Sequence, residues 1–197
     1  KIQIGDNCLF INKKKIYLLH CSKPNEIPWI NYNVDYVIDT TGKFVNFNEL
    51  AGHLSTSVQK VILTSPSKTV PMFINGINTD KLGQNKIISA SSCTSNCLIP
   101  ILHILNNEFG IKSAFFTTIH ASTGSQKIVD NHNHKKPRLG RSALNNIIPT
   151  STGASYSITE LIPGLENKII GTSVRIPILG SSMVDLNIIT DKSTNLE

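Results

Sequence analysis

A cysteine and a histidine in the middle of the chain have the residue types and settings that nucleophilic catalysis needs. Cys93 follows two serines and directly precedes an apolar stretch with helical spacing. A thiol at a helix N-terminus lies near the positive end of the helix dipole, and this favours the thiolate. His120 ends a strand-like segment and could act as a base towards that thiol. Spacing alone leaves two interpretations open: a catalytic Cys–His pair, or two unconnected structural residues. Cys97, one turn further on in the apolar pattern, fits a buried structural cysteine better than Cys93 does.

Cationic and hydroxyl side chains later in the chain suit the binding of phosphate groups. Arginine donates through a planar fork and hydroxyls donate single hydrogen bonds, and phosphate oxygens accept both. Arg138, Arg141 and Arg175 have this chemistry. So do the hydroxyl runs at 122–123 and 150–152. Each feature alone is typical of a polar loop, but together with a nucleophilic cysteine they predict a small phosphorylated substrate.

Composition restricts the class of protein. With 197 residues, 40% of them hydrophobic and 16% charged, the chain is long enough for one large domain or two modest ones. The net charge is +6, but only three of the 19 basic residues are arginines, and this argues against a nucleic-acid partner. No apolar run is long enough to span a membrane, so we expect an intracellular protein with free cysteines. No spacing of His and Cys matches a zinc site, and we expect no metal.

The hydrophobic pattern predicts two domains that meet near Ser92, and therefore comprise residues 1–92 and 93–197. Residues 2–19 alternate around a polar turn and predict a hairpin. A buried strand, a helix and a strand form a predicted βαβ unit at 34–39, 47–55 and 61–64. The further predictions are strands at 86–89, 113–120, 169–178 and 183–190, a helix at 94–109, and a long polar loop at 122–146.

The first domain lacks two features of a complete dinucleotide-binding domain. No opening strand and no Gly-rich phosphate loop precede the βαβ unit. We therefore expect the sequence to be a fragment of a longer chain.

One segment closely resembles a known enzyme family. Residues Ser89–Pro100 are similar to the nucleophile segment of the phosphorylating glyceraldehyde-3-phosphate dehydrogenases. Further segments resemble family motifs in the family's order, and they are residues 41–44, 64–68, 116–123, 126–130, 146–154 and 174–177. The resemblance covers nearly the whole chain. It implies an α/β fold: the second half of a Rossmann-type dinucleotide-binding domain, followed by part of an α+β catalytic domain with a mostly antiparallel sheet.

The resemblance also assigns roles to individual residues. It implies that Cys93 is the nucleophile and His120 its activating base. The groups that would hold the aldehyde's phosphate and the inorganic phosphate are Ser92, Thr94, Thr123, Arg141, Thr152, Gly153 and Arg175. The implied contacts to the NAD cofactor are Thr41, Gly42, Phe44 and Thr64.

The function implied by the resemblance is a step of glycolysis. An NAD-dependent oxidoreductase would convert D-glyceraldehyde 3-phosphate and inorganic phosphate to 1,3-bisphosphoglycerate through a thiohemiacetal and a thioester on Cys93. We expect a cytoplasmic homotetramer whose activity requires a longer parent chain. Three alternatives stay open: an erythrose-4-phosphate dehydrogenase, a retired dehydrogenase domain with a structural or binding role, and a cysteine hydrolase, which would need neither nicotinamide nor phosphate groups.

Overall fold

The chain divides into two compact units, and the computed structural model describes residues 2–55, 57–133 and 136–195. The first unit comprises the residues up to Pro71 together with Gln84–Ser89. The second comprises Met72–Gly83 and the residues from Ala90 onward. Each unit has its own hydrophobic core.

The first unit begins with a small antiparallel meander. Its three strands are β1 (Ile2–Gly5), β2 (Cys8–Ile11) and β3 (Lys14–Tyr17). The hairpin predicted around the polar turn is confirmed in β2 and β3. The prediction missed the third strand, because a further tight turn with Asn7 at φ 46° separates β1 from β2. The second turn has Asn12 and Lys13 in the left-handed region, as a two-residue hairpin loop requires.

A parallel sheet forms the rest of the first unit. Its strands are β4 (Tyr36–Asp39), β5 (Lys60–Leu63) and β6 (Ile87–Ser89), in that spatial order. Between β4 and β5 lies α1 (Phe47–Leu50), continued by a 3-10 turn at Ala51–His53. The predicted βαβ unit is thus confirmed. Two further 3-10 turns precede β4, at Pro24–Glu26 and Trp29–Tyr32.

The parallel sheet is covered on one face. Val37 and Leu63 point into the core of the unit. Tyr36 and Ile38 alternate with the buried residues of β4, and each is 62% exposed. The segment 34–39, expected as a buried strand, is therefore buried on one side only.

The second unit combines two helices with a four-stranded sheet. The helices are α2 (Cys93–Phe109) and α3 (Ala154–Leu161), which contact each other and the sheet. The strands are β7 (Ile111–Ala121), β8 (Ile148–Thr150), β9 (Ile169–Ile176) and β10 (Ser182–Thr190), in the spatial order β10-β7-β9-β8. The β7–β9 pairing is parallel and the other two pairings are antiparallel, as expected for a mostly antiparallel sheet.

The pattern-based prediction missed two elements of the second unit, β8 and α3. The hydroxyl-rich segment 150–157 is typical of a loop, because Ser and Thr side chains compete for backbone hydrogen bonds. Tertiary packing stabilises a helix in this segment instead, because Ala154 and Ile158 lie one turn apart on α3 and are both buried. Within the described ranges, no helix has the length and apolar character needed to cross a membrane.

The pairing of β7 with β9 gives a direct test of the packing. Gly171 lies opposite the fully buried Phe116, and a methyl group at Gly171 would overlap the Phe116 ring. We expect Gly171→Ala to destabilise the full-length protein by about 1–3 kcal/mol, the usual result of overpacking a core. Gly180→Ala is the control, because a Cβ there meets open space, and its effect should be below about 0.5 kcal/mol. Urea unfolding measures both, and equal effects would contradict the argument.

Candidate active site

Cys93 is the first residue of α2, and its side chain is exposed. Ser92 caps the helix, with its Oγ accepting the Ser95 amide N–H at 3.1 Å. Asn96 Nδ2 donates to the carbonyl oxygens of Ala90 and Ser92, each at 2.8 Å. First-turn amides have no partner within a helix and carry the positive end of its dipole. The predicted helix N-terminus at Cys93 is confirmed, and the thiol lies at this positive end.

The turn before Cys93 is held by buried hydroxyls. Ser91 has a φ of 57°, a left-handed conformation that costs a non-glycine residue about 1–2 kcal/mol. Its Oγ–H donates to Ser157 Oγ at 2.9 Å, and Ser157 donates to Met72 Sδ at 3.6 Å. Sequence reasoning missed both serines, and the only signal for them is the run of hydroxyl residues around Cys93. These contacts stabilise the strained turn that leads into the helix.

β7 places His120 beside Cys93. His120 lies one residue before the end of β7, and its Nε2 is 3.5 Å from Cys93 Sγ. The sequence left open whether these two side chains meet, and the fold brings them together. At this separation a proton can move between the thiol and the imidazole.

The second imidazole nitrogen of His120 has two neighbours. Nδ1 lies 2.7 Å from the Ala121 carbonyl oxygen, and Arg175 Nη1 also lies within hydrogen-bond distance of Nδ1. Donation from Nδ1–H to Ala121 leaves the Nε2 lone pair facing Cys93, ready to accept a proton. Donation from Arg175 to Nδ1 places the ring proton on Nε2, where it points at the sulfur. His120 can therefore present either a base or a hydrogen-bond donor to Cys93.

Arg175 lies beside His120 because the two residues are paired in the β7–β9 register. Its Nη1 also donates to the Ala121 carbonyl oxygen at 3.1 Å. Burial lowers the pKa of the Arg175 guanidinium from its usual value, and the charge of the Cys93 thiolate opposes this shift. Among the described residues, the buried Arg175 Nε–H has no hydrogen-bond acceptor. Such a donor favours a bound anion, because leaving it unsatisfied costs about 1–3 kcal/mol.

Ser92, Thr94 and Thr123 lie close to Cys93 or His120 along the chain. Ser92 and Thr94 flank the nucleophile, and Thr94 Oγ1 is 3.9 Å from Cys93 Sγ. Thr123 follows the end of β7, where its amide N–H and its hydroxyl both donate to Gln126 Oε1, at 2.8 and 3.2 Å. Of these three hydroxyls, that of Thr94 is the one in contact with the thiol among the described residues.

Arg141, Thr152 and Gly153 make contacts of their own. The Arg141 side chain forms an ion pair with Asp130 at 3.3 Å, and both side chains are exposed. Gly153 is the N-cap of α3, and Thr152 Oγ1 accepts the Ala154 N–H at 3.2 Å. The recorded contacts of these residues are with Asp130 and Ala154 rather than with the Cys–His pair.

Cys97 departs from the expectation. Its place in the apolar pattern of α2 predicted a buried structural cysteine, but its side chain is exposed. The buried stripe of α2 contains Leu98, Ile99 and Leu102, and Cys97 lies beside that stripe. Cys93 and Cys97 are thus two exposed thiols about one helical turn apart, and the four cysteines are free, as expected.

The residues expected to contact NAD lie at the carboxyl edge of the parallel sheet in the first unit. Thr41 and Gly42 follow β4, and Thr64 follows β5. Nucleotides bind outside the carboxyl ends of the strands in open parallel sheets. Gly42 has a φ of 63°, and a Cβ there would meet none of the described atoms within 4 Å, so its backbone is open to a ligand. Phe44 packs against the core behind the turn. The edge therefore fits a nucleotide cofactor.

Two family models match the chain. The glyceraldehyde 3-phosphate dehydrogenase NAD binding domain matches residues 1–47, and the glyceraldehyde 3-phosphate dehydrogenase C-terminal domain matches residues 92–197. The chain belongs to the glyceraldehyde 3-phosphate dehydrogenase family. Membership in this family confirms the resemblance, the predicted fold class and NAD as the cofactor.

Curated members of the glyceraldehyde 3-phosphate dehydrogenase family are similar over most of this chain. Glyceraldehyde-3-phosphate dehydrogenase 1 of Kluyveromyces marxianus is 44% identical over 184 residues, which cover 93% of this chain and 56% of that protein. Glyceraldehyde-3-phosphate dehydrogenase 3 of Saccharomyces cerevisiae is 39% identical over 198 residues, which cover 100% of this chain and 60% of that protein. The cytosolic glyceraldehyde-3-phosphate dehydrogenase of Scenedesmus vacuolatus is 41% identical over 198 residues, which cover 100% of this chain and 64% of that protein. The chain thus spans 56–64% of the length of these relatives.

Cys93 and Cys97 provide a matched comparison of thiol reactivity in one molecule. Only Cys93 has both a helix N-terminus and an imidazole beside it among the described cysteines. We expect iodoacetamide to alkylate Cys93 about ten-fold faster than Cys97 at neutral pH, because the thiolate is the reactive form. His120→Asn should slow the reaction of Cys93 and leave that of Cys97 unchanged. Peptide mass spectrometry gives both rates, and equal rates in the unsubstituted protein would contradict the activation of Cys93.

Proposed function

We propose that the full-length protein is a phosphorylating glyceraldehyde-3-phosphate dehydrogenase that acts in glycolysis in the cytoplasm. The observation that carries the proposal is the 3.5 Å contact between Cys93 Sγ and His120 Nε2 at the start of α2. A nucleophile and a base in this geometry suit covalent catalysis on an aldehyde. The names of the relatives support the reaction, and the relative named cytosolic supports the compartment.

In the first step, the Cys93 sulfur forms a bond to the aldehyde carbon. His120 Nε2 accepts the thiol proton, and the thiolate attacks to give a thiohemiacetal. Negative charge develops on the carbonyl oxygen, where the Cys93 backbone N–H in the first turn of α2 can donate a hydrogen bond. His120 Nε2–H returns its proton to this oxygen, which forms the hydroxyl of the thiohemiacetal and leaves the imidazole neutral. NAD, when bound, would supply the acceptor for the hydride that this carbon loses. His120 takes the hydroxyl proton of the thiohemiacetal, which leaves a thioester on Cys93.

In the second step, inorganic phosphate attacks the thioester carbon. A phosphate oxygen forms the new bond, and Cys93 leaves as the thiolate, which releases an acyl phosphate. Arg175 supports this step because its guanidinium lies beside His120 and, in the described structure, its buried Nε–H lacks an acceptor. The remaining donors of the proposed phosphate sites come from Ser92, Thr94, Thr123, Arg141, Thr152 and Gly153.

The alternatives lack a supporting observation of this kind. The His120–Thr123 and Thr152–Gly153 motifs resemble the glyceraldehyde enzyme more than the erythrose-4-phosphate enzyme. The Cys93–His120 contact with Arg175 behind it argues against a retired domain, because a structural subunit needs no such arrangement. The family's NAD-binding domain argues against a cysteine hydrolase.

We also propose that the full-length protein forms a homotetramer through the outer face of the sheet in the second unit. Three adjacent strands present apolar side chains there: Phe115 on β7, Ile170 on β9 and Ile189 on β10, which are 46%, 68% and 61% exposed. Phe115 and Ile170 are paired in register, so their side chains lie on the same face. Exposed apolar surface of this extent is typical of subunit contacts.

The formation of NADH tests the proposed reaction. We expect the full-length protein to reduce NAD only when glyceraldehyde 3-phosphate and inorganic phosphate are both present. Cys93→Ser should lower kcat by about 10³-fold or more, because a serine hydroxyl is not ionised at neutral pH. Cys97→Ser is the matched control and should keep full activity. A folded protein that forms no NADH, or that prefers erythrose 4-phosphate, would overturn the proposal.

Sedimentation velocity tests the assembly. Ile170→Asp places a charge in the apolar face, and we expect it to convert the tetramer to a smaller species. Lys14→Asp, at an exposed position on β3, is the control and should leave the tetramer intact. An unchanged sedimentation coefficient for Ile170→Asp would show that this face is not a subunit contact.

A further inference from the structure

Three polar side chains of the first unit form a chain of contacts behind the Thr41 turn. Asp39 and His53 are only 3% and 5% exposed, and Asp39 Oδ2 lies 3.2 Å from His53 Nε2. Trp29 Nε1–H donates to His53 Nδ1 at 3.3 Å. Buried polar groups reduce stability unless they are hydrogen-bonded. Here both ring nitrogens, the indole N–H and both carboxylate oxygens have partners.

Asp39 holds both threonines that we propose as cofactor contacts. Its Oδ1 accepts the Thr41 amide N–H at 2.9 Å and the Thr41 hydroxyl at 2.7 Å. Its main-chain carbonyl oxygen accepts the Thr64 amide N–H at 3.1 Å and the Thr64 hydroxyl at 3.0 Å. Thr41 Oγ1 in turn accepts the Lys43 N–H at 3.2 Å, which closes the turn around Gly42. One residue at the end of β4 therefore orients two neighbouring segments of the edge.

The His53 ring fixes the direction of the Asp39 carboxylate. An indole N–H can only donate, so His53 Nδ1 must accept and the ring proton must lie on Nε2. Nε2–H then donates to Asp39 Oδ2. With Oδ2 held in this way, Oδ1 is directed at Thr41. The chain of contacts thus requires a neutral imidazole with its proton on Nε2.

We propose that the side chains of Asp39 and His53 are positioning residues for NAD, which orient Thr41 before the cofactor binds. The inference rests on the proposed function, because it requires cofactor contacts at this edge. A hydrophobic pair of similar volume would fill the same space without desolvating a carboxylate, and is often as stable. The Asp–His pair supplies an oriented turn instead, and preorganisation of a binding site increases affinity.

Calorimetric titration of the full-length protein with NAD tests the role of Asp39. Asp39→Asn keeps the volume but places an NH₂ donor against either His53 or Thr41, so one contact is lost. We expect the Kd for NAD to rise about ten-fold. We expect kcat at saturating NAD to stay within about two-fold, because the substitution affects cofactor binding alone. Asp35→Asn is the matched control at the opposite end of β4, where Asp35 accepts from Gln59 at 3.0 Å, and its Kd should not change.

Two variants of His53 separate positioning from simple stability. His53→Gln keeps a donor near the place of Nε2, whereas His53→Leu has none. We expect His53→Gln to bind NAD nearly as well as the unsubstituted protein, and His53→Leu to show the same weakening as Asp39→Asn. Equal Kd values for the two variants would overturn the inference. The comparison of His53→Gln with His53→Leu tests the inference even if Asp39→Asn does not fold.

Nitrogen-15 NMR of the unsubstituted protein without NAD gives a readout that needs no cofactor. We expect His53 to carry its proton on Nε2 and the Thr41 amide to exchange slowly with solvent. A proton on Nδ1, or rapid exchange of that amide, would overturn the inference. Failure of the unsubstituted protein to bind NAD would overturn the proposed function and the inference together. Tight binding that Asp39→Asn and His53→Leu leave unchanged would overturn the inference alone.

Discussion

The register of β7 against β9 is the constraint on which the second unit depends. It sets Phe116 opposite Gly171 and His120 opposite Arg175. Gly171 leaves the space that the buried Phe116 ring occupies. Because side chains alternate between the two faces of a sheet, a shift of one residue would turn the ring out of the core and separate Arg175 from His120. The packing of one aromatic ring and the chemistry of one imidazole are thus set by the same pairing.

The two units orient their polar groups by different physical means. In the second unit, the first turn of α2 provides backbone amides and the positive end of the helix dipole at Cys93, and the strained Ser91 turn is held by buried hydroxyls. In the first unit, the buried carboxylate of Asp39 holds the Thr41 turn through direct hydrogen bonds, and the Asp39 main-chain carbonyl oxygen accepts from Thr64. Both arrangements accept a local penalty, one in backbone strain and one in desolvation, to fix donors and acceptors in space.

The sequence predicts features that depend on local pattern. The apolar spacing predicts α2 to within a residue, and this alone places Cys93 at a helix start. The contact between Cys93 and His120 joins two distant segments, so no spacing reveals it. The same limit applies to Arg175, whose neighbour depends on strand register. Cys97 shows a further limit, because an apolar pattern indicates a buried stripe without defining its edges.

Trp29 is the only tryptophan among the 197 residues. It is joined to the Thr41 turn by three successive hydrogen bonds, through His53 and Asp39. Indole emission responds to the polarity and hydrogen bonding of its surroundings. Any tryptophan fluorescence from this stretch of sequence therefore originates at one end of the buried polar chain, so the first unit contains a built-in optical probe of its own nucleotide edge.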